Sequence, residues 1–429
     1  MRILPALAAL SLSLAIPAVA QTSTADPDST VRQIVASASF KQAAATLEAG
    51  HDQWVKDVIT LAEIPAPPFK EQARAKAYAD MFRSRGLSEV EIDEEGNALG
   101  LRKGTAGGPI VVVSAHLDTV FPEGTDVKVR REGDKLFAPG VGDDSAGLAA
   151  MLSLIDAMNA AGIHTRSDIL FVGTVGEEGL GDLRGVRHLF TKGKYKDRVG
   201  AFFSIDGGGM ETITTAGTGS KRYRVSYKGP GGHSYGAFGL VNPMVPLGQT
   251  VIDLYKLNVP TKPKTTYSAS VVGGGTSVNS IPDEVWLQVD MRSESAAELA
   301  KLEPRFLRIV ERSVAAENAA RSTAEGKIAA ETKKIGDRPA GETPPSAGIV
   351  RFAEAAYRAE GIAIRRTASS TDANVPMSLG IPAVTMSRGS SGGRAHAPDE
   401  WIGIEKDPNV KLRRILLATI LATAGAGGP

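Results

Sequence analysis

The 429-residue chain contains no cysteine. That excludes disulfides, thiolate nucleophiles, thiolate metal ligands and lipid attachment through a cysteine. Aromatic residues make up only 5%, and neither sign of charge dominates: Lys+Arg is 49 and Asp+Glu is 48, for a formal net charge of +1. The basic footprint of a nucleic-acid or anionic-membrane binder is therefore missing. Long apolar runs are also lacking; the one candidate, residues 3–16, is too short to span a bilayer. What remains, 42% apolar and 23% charged residues, describes a globular protein of one large domain or two ordinary ones.

The apolar run lies between the basic Arg2 and the small-x-small sequence Ala18-Val19-Ala20. It reads as a secretory signal peptide over residues 1–20, cut before Gln21. The expected location is periplasmic or secreted, with no membrane anchor. Residues 21–30 read as a flexible new N-terminus.

Periodicity then divides the chain. Helical spacing is expected over residues 31–47, 51–63 and 71–85, and strands over 90–92 and 98–101 around Gly96-Asn97. Buried strands at 110–114, 169–175 and 201–205, with a small-residue helix at 146–161, predict a mostly parallel sheet flanked by helices. From Lys221 the pattern changes to strand 223–227, helix 243–257, strands 265–272 and 285–291, helix 296–315 and strand 324–332. This β-α-β-β-α-β order predicts a split βαβ unit inserted over residues 221–334. It would divide the first domain into residues 21–220 and 335–429, with a Pro/Gly-rich return at 336–346, a helix at 347–360 and a last strand at 383–386.

Three polar clusters follow one another in the first domain: His116 and Asp118, Asp143-Asp144, and Glu177-Glu178. Each follows an apolar run or sits in a glycine-rich turn. Alone, His116 reads as a satisfied core histidine, Asp143-Asp144 as a helix N-cap and Glu177-Glu178 as a charged turn. Together they place ligand side chains at the carboxyl ends of sheet strands, where open α/β sheets keep their sites. Carboxylates held together repel each other unless a divalent metal pair offsets the charge. Imidazole with carboxylate suits zinc, with cobalt or manganese as alternatives. Asp206, before three glycines, and His396, in a polar loop, read alone as ordinary turn residues. His233 follows Gly231-Gly232 in the inserted unit, and Arg292 ends a strand after the stretch holding Asn279. Arg292 reads either as a surface ion pair or as a clamp for a substrate carboxylate.

In order, the motifs are His-x-Asp-Thr, Gly-x-x-Asp-Asp, Glu-Glu, Asp, Gly-Gly-His-Ser, Asn-x-Ile-Pro-Asp, Asp-x-Arg and His-x-Pro-Asp-Glu. The combination resembles the dinuclear zinc exopeptidase family of peptidase T, glutamate carboxypeptidase and aminoacylase, from about residue 50 to about 405. The resemblance implies that His116 and Asp206 bind one zinc, Glu178 and His396 the other, and Asp143 both. It implies that Asp118 orients His116, that Glu177 is the general base on the bridging water, and that His233 polarises the scissile carbonyl, often from a partner subunit. Asn279 and Arg292 would hold a substrate carboxylate. The inserted unit would be a ferredoxin-like lid that also forms a homodimer. Ser145 stands where members similar to peptidase T usually carry Lys. The implied activity is hydrolysis of di- or tripeptides. The alternatives are an N-acyl amino acid amidohydrolase, a glutamate-type carboxypeptidase, or a peptide-binding relative without catalysis.

Overall fold

The computed structural model describes residues 26–207 and 209–426; the expected signal peptide and cleavage point lie outside them. The helix-forming N-terminal residues build two helices, Pro27–Ala36 and Ala38–Ala49, where one was expected. Ser37 divides them: its hydroxyl donates to Ile34 O and accepts from Phe40 N–H, ending one helix and capping the next. Order also begins earlier than expected, because Asp26 caps the first helix through Ser29 N–H. The flexible reading of residues 21–30 is thus corrected from Pro27 onward.

A nine-stranded sheet forms the middle of the larger unit. In space it runs Ser88–Ile92, Ala98–Arg102, Ile169–Thr174, Ile110–His116, Val199–Gly207, Ala383–Ser387, Thr212–Gly217 and Gly341–Glu342, with Arg365–Ser369 also paired to Thr212–Gly217. Its four middle strands, Ile169–Thr174 to Ala383–Ser387, are parallel. Every residue of Ile110–His116 is buried because both sheet faces are covered. Val111, Val113 and Ala115 enter a core with the helix Ser145–Ala160, whereas Ile110 and Val112 enter a second core with Val186 and Leu189. The parallel strands all point their carboxyl ends the same way, which collects His116, the Glu177 turn and Asp206 on one edge.

The inserted unit has its own sheet, in the order Thr265–Gly274, Glu284–Ser293, Gly219–Lys228, Ala329–Arg338, antiparallel throughout. Helices Met244–Leu254 and Ala296–Ala320 pack on one face. Strict alternation in Glu284–Ser293 sends Val285, Leu287, Val289 and Met291 into that core and leaves Trp286, Gln288, Asp290 and Arg292 on the opposite face. The strand expected at 324–332 is instead Ala329–Arg338, so the first residues of the expected return linker, Gly336 to Arg338, are strand, and the whole strand pairs with Ser220–Lys228.

Two features escaped the periodicity reading. Helix Lys406–Ala424 is largely buried against the first core despite its charged residues. A small sheet joins Arg130–Glu132, Lys135–Phe137, Trp401–Gly403 and Gly392–Gly393. It straps the loop bearing His396 to the chain that leads into Asp143. Among the described residues, no helix is long and apolar enough to cross a membrane.

Candidate active site

His116 is the last residue of its strand and is buried. Its Nδ1 lies 3.0 Å from Asp118 O, a carbonyl that can only accept, so Nδ1 carries the proton. Nε2 is thereby aimed at Asp143 Oδ1, 2.9 Å away, with Asp206 Oδ1 at 3.9 Å. Orientation of this ring was expected from the Asp118 carboxylate, but its Oδ1 is the farther contact at 3.6 Å. That carboxylate instead accepts the backbone N–H groups of Glu177 and Glu178, at 3.0 and 2.8 Å. Asp118 therefore locks the histidine strand to the glutamate turn.

Asp143 and Asp144 open the helix Ser145–Ala160, joined by a cis peptide bond. Asp144 turns inward and accepts His116 N–H; Asp143 faces the cleft. A side chain at Gly147 would put its Cβ 2.2 Å from both Asp144 Oδ1 and Ile205 O, so only glycine lets this helix approach the Asp206 strand. Ser145, the residue that departs from the peptidase T pattern, donates its hydroxyl to Gly140 O. Glu400 accepts N–H from Gly140, Gly142 and Asp143, which fixes the aspartate loop from the His396 side. His396 Nε2 reaches Glu178 Oε1 at 2.8 Å and Asp143 Oδ2 at 3.4 Å.

The donors form overlapping groups whose atoms all lie within 4.8 Å: His116, Asp143 and Asp206; Asp143, Glu178 and His396; and His116, Glu177 and Glu178. Asp143 offers Oδ1 to the first group and Oδ2 to the second. The electrostatics show what these groups need. Burial and the neighbouring Asp143 push the Asp206 carboxyl well above its usual range. Burial opposes charge on His116, yet Asp118 and Asp143 raise its pKa well above the ordinary value. Hydrogen bonds to Asp143 and Glu178 push His396 up to about 10. Imidazole nitrogens and carboxylate oxygens converging on a shared aspartate fit a divalent metal pair, which supplies positive charge without crowding.

Asp143, Glu177, Glu178, Asp206 and His396 line a cleft of about 530 Å³ with Arg222, Arg292, Arg338 and Arg388. Burial raises Glu177 to about 8, opposed by the Arg338 charge. Arg338 Nη1 donates to Glu177 Oε1 at 3.0 Å and to Ser370 Oγ at 3.0 Å, and Nη2 donates to Glu177 O. Of the site residues expected from sequence, His116, Asp118, Asp143, Glu177, Glu178, Asp206, His396 and Arg292 come together here. His233 and Asn279 do not. They are exposed on a short ribbon of the inserted unit, where His233 pairs with Ser280 and Ser234 N–H donates to Asn279 O. The sequence reading missed Arg338, Arg388 and Arg222, and gave Glu400 no role although it ends the His-x-Pro-Asp-Glu motif.

Residues 112–421 match the family described as peptidase family M20/M25/M40. The chain belongs to this family. M20 members are hydrolytic enzymes, and the family is one of dinuclear metal-binding peptidases. Carboxypeptidase G2 of Pseudomonas sp. (strain RS-16) is 28% identical over 200 residues, 46% of this chain and 47% of that one. The chain thus spans about half the length of that relative. The M20 fold is shared with aminopeptidase PepT from Bacillus cereus ATCC 10987, at 21% identity and a TM-score of 0.69 over 87% of this chain and 99% of that one. It is shared as well with Bacillus subtilis YXEP, described as a dinuclear metal binding peptidase, at 17% identity and a TM-score of 0.63 over 88% and 99%.

Proposed function

We propose that the protein is an exported two-zinc exopeptidase that hydrolyses di- and tripeptides. One observation carries this reading: Asp143 belongs to two donor groups at once, with Glu177 beside them in the same cleft. His116 and Asp206 would hold one zinc, Glu178 and His396 the other, and Asp143 both. When bound, the pair supplies Lewis-acid polarisation of the scissile carbonyl and lowers the pKa of water towards neutrality. Glu177 takes the proton from the attacking water and returns it to the leaving amine. Arg292 holds a substrate carboxylate with its terminal nitrogens, its Nε being committed to Asp290.

We infer that His233 and Asn279 enter the site from a second copy. His233 Nδ1 accepts N–H from Tyr235 and Gly236, so its remaining proton sits on Nε2 and is available to a carbonyl oxygen. In support of a homodimer through the inserted unit, Met244, Val245, Ile252 and Tyr255 are exposed on or next to one helix. Val271 and Val272 are exposed on the edge strand Thr265–Gly274. Export rests on the first twenty residues and is checked by the mass of the mature N-terminus recovered outside the cytoplasm.

Arg292 equally suits an N-acyl amino acid amidohydrolase or a glutamate-type carboxypeptidase, since both read a carboxylate. The deciding experiment gives the zinc-loaded protein a tripeptide, its N-acetylated form and its C-terminal amide. Loss of cleavage on acetylation alone identifies an aminopeptidase. Loss on amidation alone identifies a carboxypeptidase or acylase, and loss on both a di- or tripeptidase. No turnover of any, with metal bound, overturns the peptidase reading.

A further inference from the structure

The edge strand of the inserted unit changes face just before it reaches the cleft. Residues 329–334 pair one to one with residues 228–223. Lys334 then lies opposite Tyr223 and Gly336 opposite Arg222, so Ile335 is an extra residue, a β-bulge. Side chains of a strand alternate between its two faces, and the extra residue reverses that alternation. Residues three apart face opposite ways in a regular strand, yet Lys334 Nζ meets Asp337 Oδ2 at 2.9 Å. Arg338, opposite Ser220, is thereby turned to the face of Arg222 and Arg292, which both donate Nε to Asp290. That face contributes Arg222, Arg292 and Arg338 to the cleft. Without the bulge, Arg338 would point with Lys334 towards the helix side of the sheet.

Ala329–Arg338 is the last strand of its sheet, so among the described residues its outer edge has no strand partner. At Asp337 that edge is taken by the larger unit. Both carboxylate oxygens of Asp182 accept Asp337 N–H, each at 3.0 Å. Arg187 donates Nη2 to Asp337 O and Nε to Asp182 O. A Cβ at Gly336 would lie 3.1 Å from Arg222 Cδ and 3.3 Å from Asp182 Oδ1, so glycine keeps this approach open.

Asp182 is itself fixed to the Glu177 turn. Asp182 and Leu183 are consecutive non-glycine residues in the left-handed region, at φ 51° and 63°. Such a conformation persists only where its surroundings enforce it. Here Leu183 is buried, its N–H donates to Gly176 O at 2.8 Å, and its O accepts Arg187 N–H. The contacts close a ring that runs from Glu177 through its turn to Asp182, across to Asp337, and back through Arg338 to Glu177.

We propose that Asp182 is a positioning residue for proton transfer: it holds the bulged strand end at Asp337 and so keeps the Arg338 guanidinium aimed at Glu177. The proposal rests on the amide-hydrolase reading above, in which Glu177 carries the proton. Asp182 does not line the cleft and acts only through Arg338.

The test uses Asp182→Gly, which removes the carboxylate and suits the left-handed backbone. Its kcat and KM are measured on the zinc-loaded full chain with an amide that the native protein cleaves, in the native and the Arg338→Met backgrounds. A crystal structure of Asp182→Gly is determined in parallel. Asp182→Gly should lower kcat by about 10-fold, the scale of one hydrogen bond to a charged group, with KM nearly unchanged. Asp182→Asn, which keeps an acceptor for Asp337 N–H, should recover most of the loss. In the Arg338→Met background Asp182→Gly should cost little more, because residues that act through one contact are not additive. The crystal structure should show Arg338 withdrawn from Glu177. A change that merely loosened the fold would lower Tm and cost the same in both backgrounds. Unchanged kcat, equal losses in the two backgrounds, or Arg338 still seated on Glu177 in Asp182→Gly would overturn the proposal. If the native protein cleaves no amide, the hydrolase reading fails, and the place of Arg338 in the variant's crystal structure still decides what Asp182 holds.

Discussion

Glu177 is gripped by a residue 161 positions away in the chain. Arg338, the last residue of the strand Ala329–Arg338, binds both the carboxylate and the backbone carbonyl of Glu177. The Glu177 carboxylate is thus oriented from the end of a strand of the inserted unit and not from its own turn. Two predictions belong to this scale. Glu177→Ala should retain both metals by elemental analysis and lose about 10²- to 10⁴-fold in kcat, the usual contribution of a positioned acid or base. Near-normal turnover would show that another group carries the proton. Arg338→Met should lower kcat with little change in KM, because the guanidinium holds Glu177 and not the substrate, and Arg338→Lys should recover part of the loss. A purely structural role would instead appear as a lower Tm with kcat unchanged at low temperature.

At the scale of elements, the inserted unit makes its own tests. Glu303 on the helix Ala296–Ala320 accepts from Tyr223 and pairs with Lys221 and Lys334. Burial opposes its charge, but these partners prevail and hold its pKa at about 2. A carboxyl depressed on folding contributes stability above its ordinary pKa, and that contribution is lost as pH falls towards the folded value. The stability gap between the native protein and Glu303→Gln, measured by urea denaturation, should therefore be full at pH 6 and close progressively from about pH 4.5 to pH 2. A gap independent of pH would remove the charge from the explanation. The edge strand supports a second test. Val271→Lys with Val272→Lys puts like charges where two edge strands would pair. Light scattering should then report a monomer, circular dichroism an unchanged fold, and the peptide assay a large loss, because His233 would no longer reach a partner's cleft. A fully active monomer would take His233 out of the mechanism.

For the whole molecule, the site is a store of unfavourable charge that metal relieves. Asp206 and Asp144 are pushed upward by burial and by the Asp143 charge. A cation bound only by the folded protein stabilises it by mass action. Chelation should lower the Tm and zinc should restore it, with the shift growing as free zinc rises. A Tm indifferent to chelation and to added zinc would mean that the donor groups do not bind it.

Much of this was legible from local sequence. The donor residues sit at the carboxyl ends of buried strands or open a helix, so the succession of His116, Asp143 and Glu177-Glu178 after apolar runs or in glycine-rich turns pointed to a site, whereas Asp206 and His396, each an ordinary turn residue when read alone, entered through the family resemblance. The β-α-β-β-α-β unit was legible because its strands alternate, one face buried and one wet. Arg338 and Arg388 were not, since an arginine after a strand carries no local signal and its importance lies in a partner far along the chain. Helix Lys406–Ala424 was missed because Arg413 is buried there, with Nη2 3.0 Å from His51 Nδ1, and a charged residue breaks the expected apolar stripe. The sequence by itself carried the order of the candidate donors and the change of pattern at Lys221, because these depend on short-range periodicity and on which side chains can bind metal. Only the tertiary structure decided that Asp118 ties His116 to the glutamate turn, that Arg222 and Arg292 share Asp290, and that His233 stands outside its own cleft. Those outcomes depend on which strands become neighbours, and sheet pairing brings together residues that no local pattern connects.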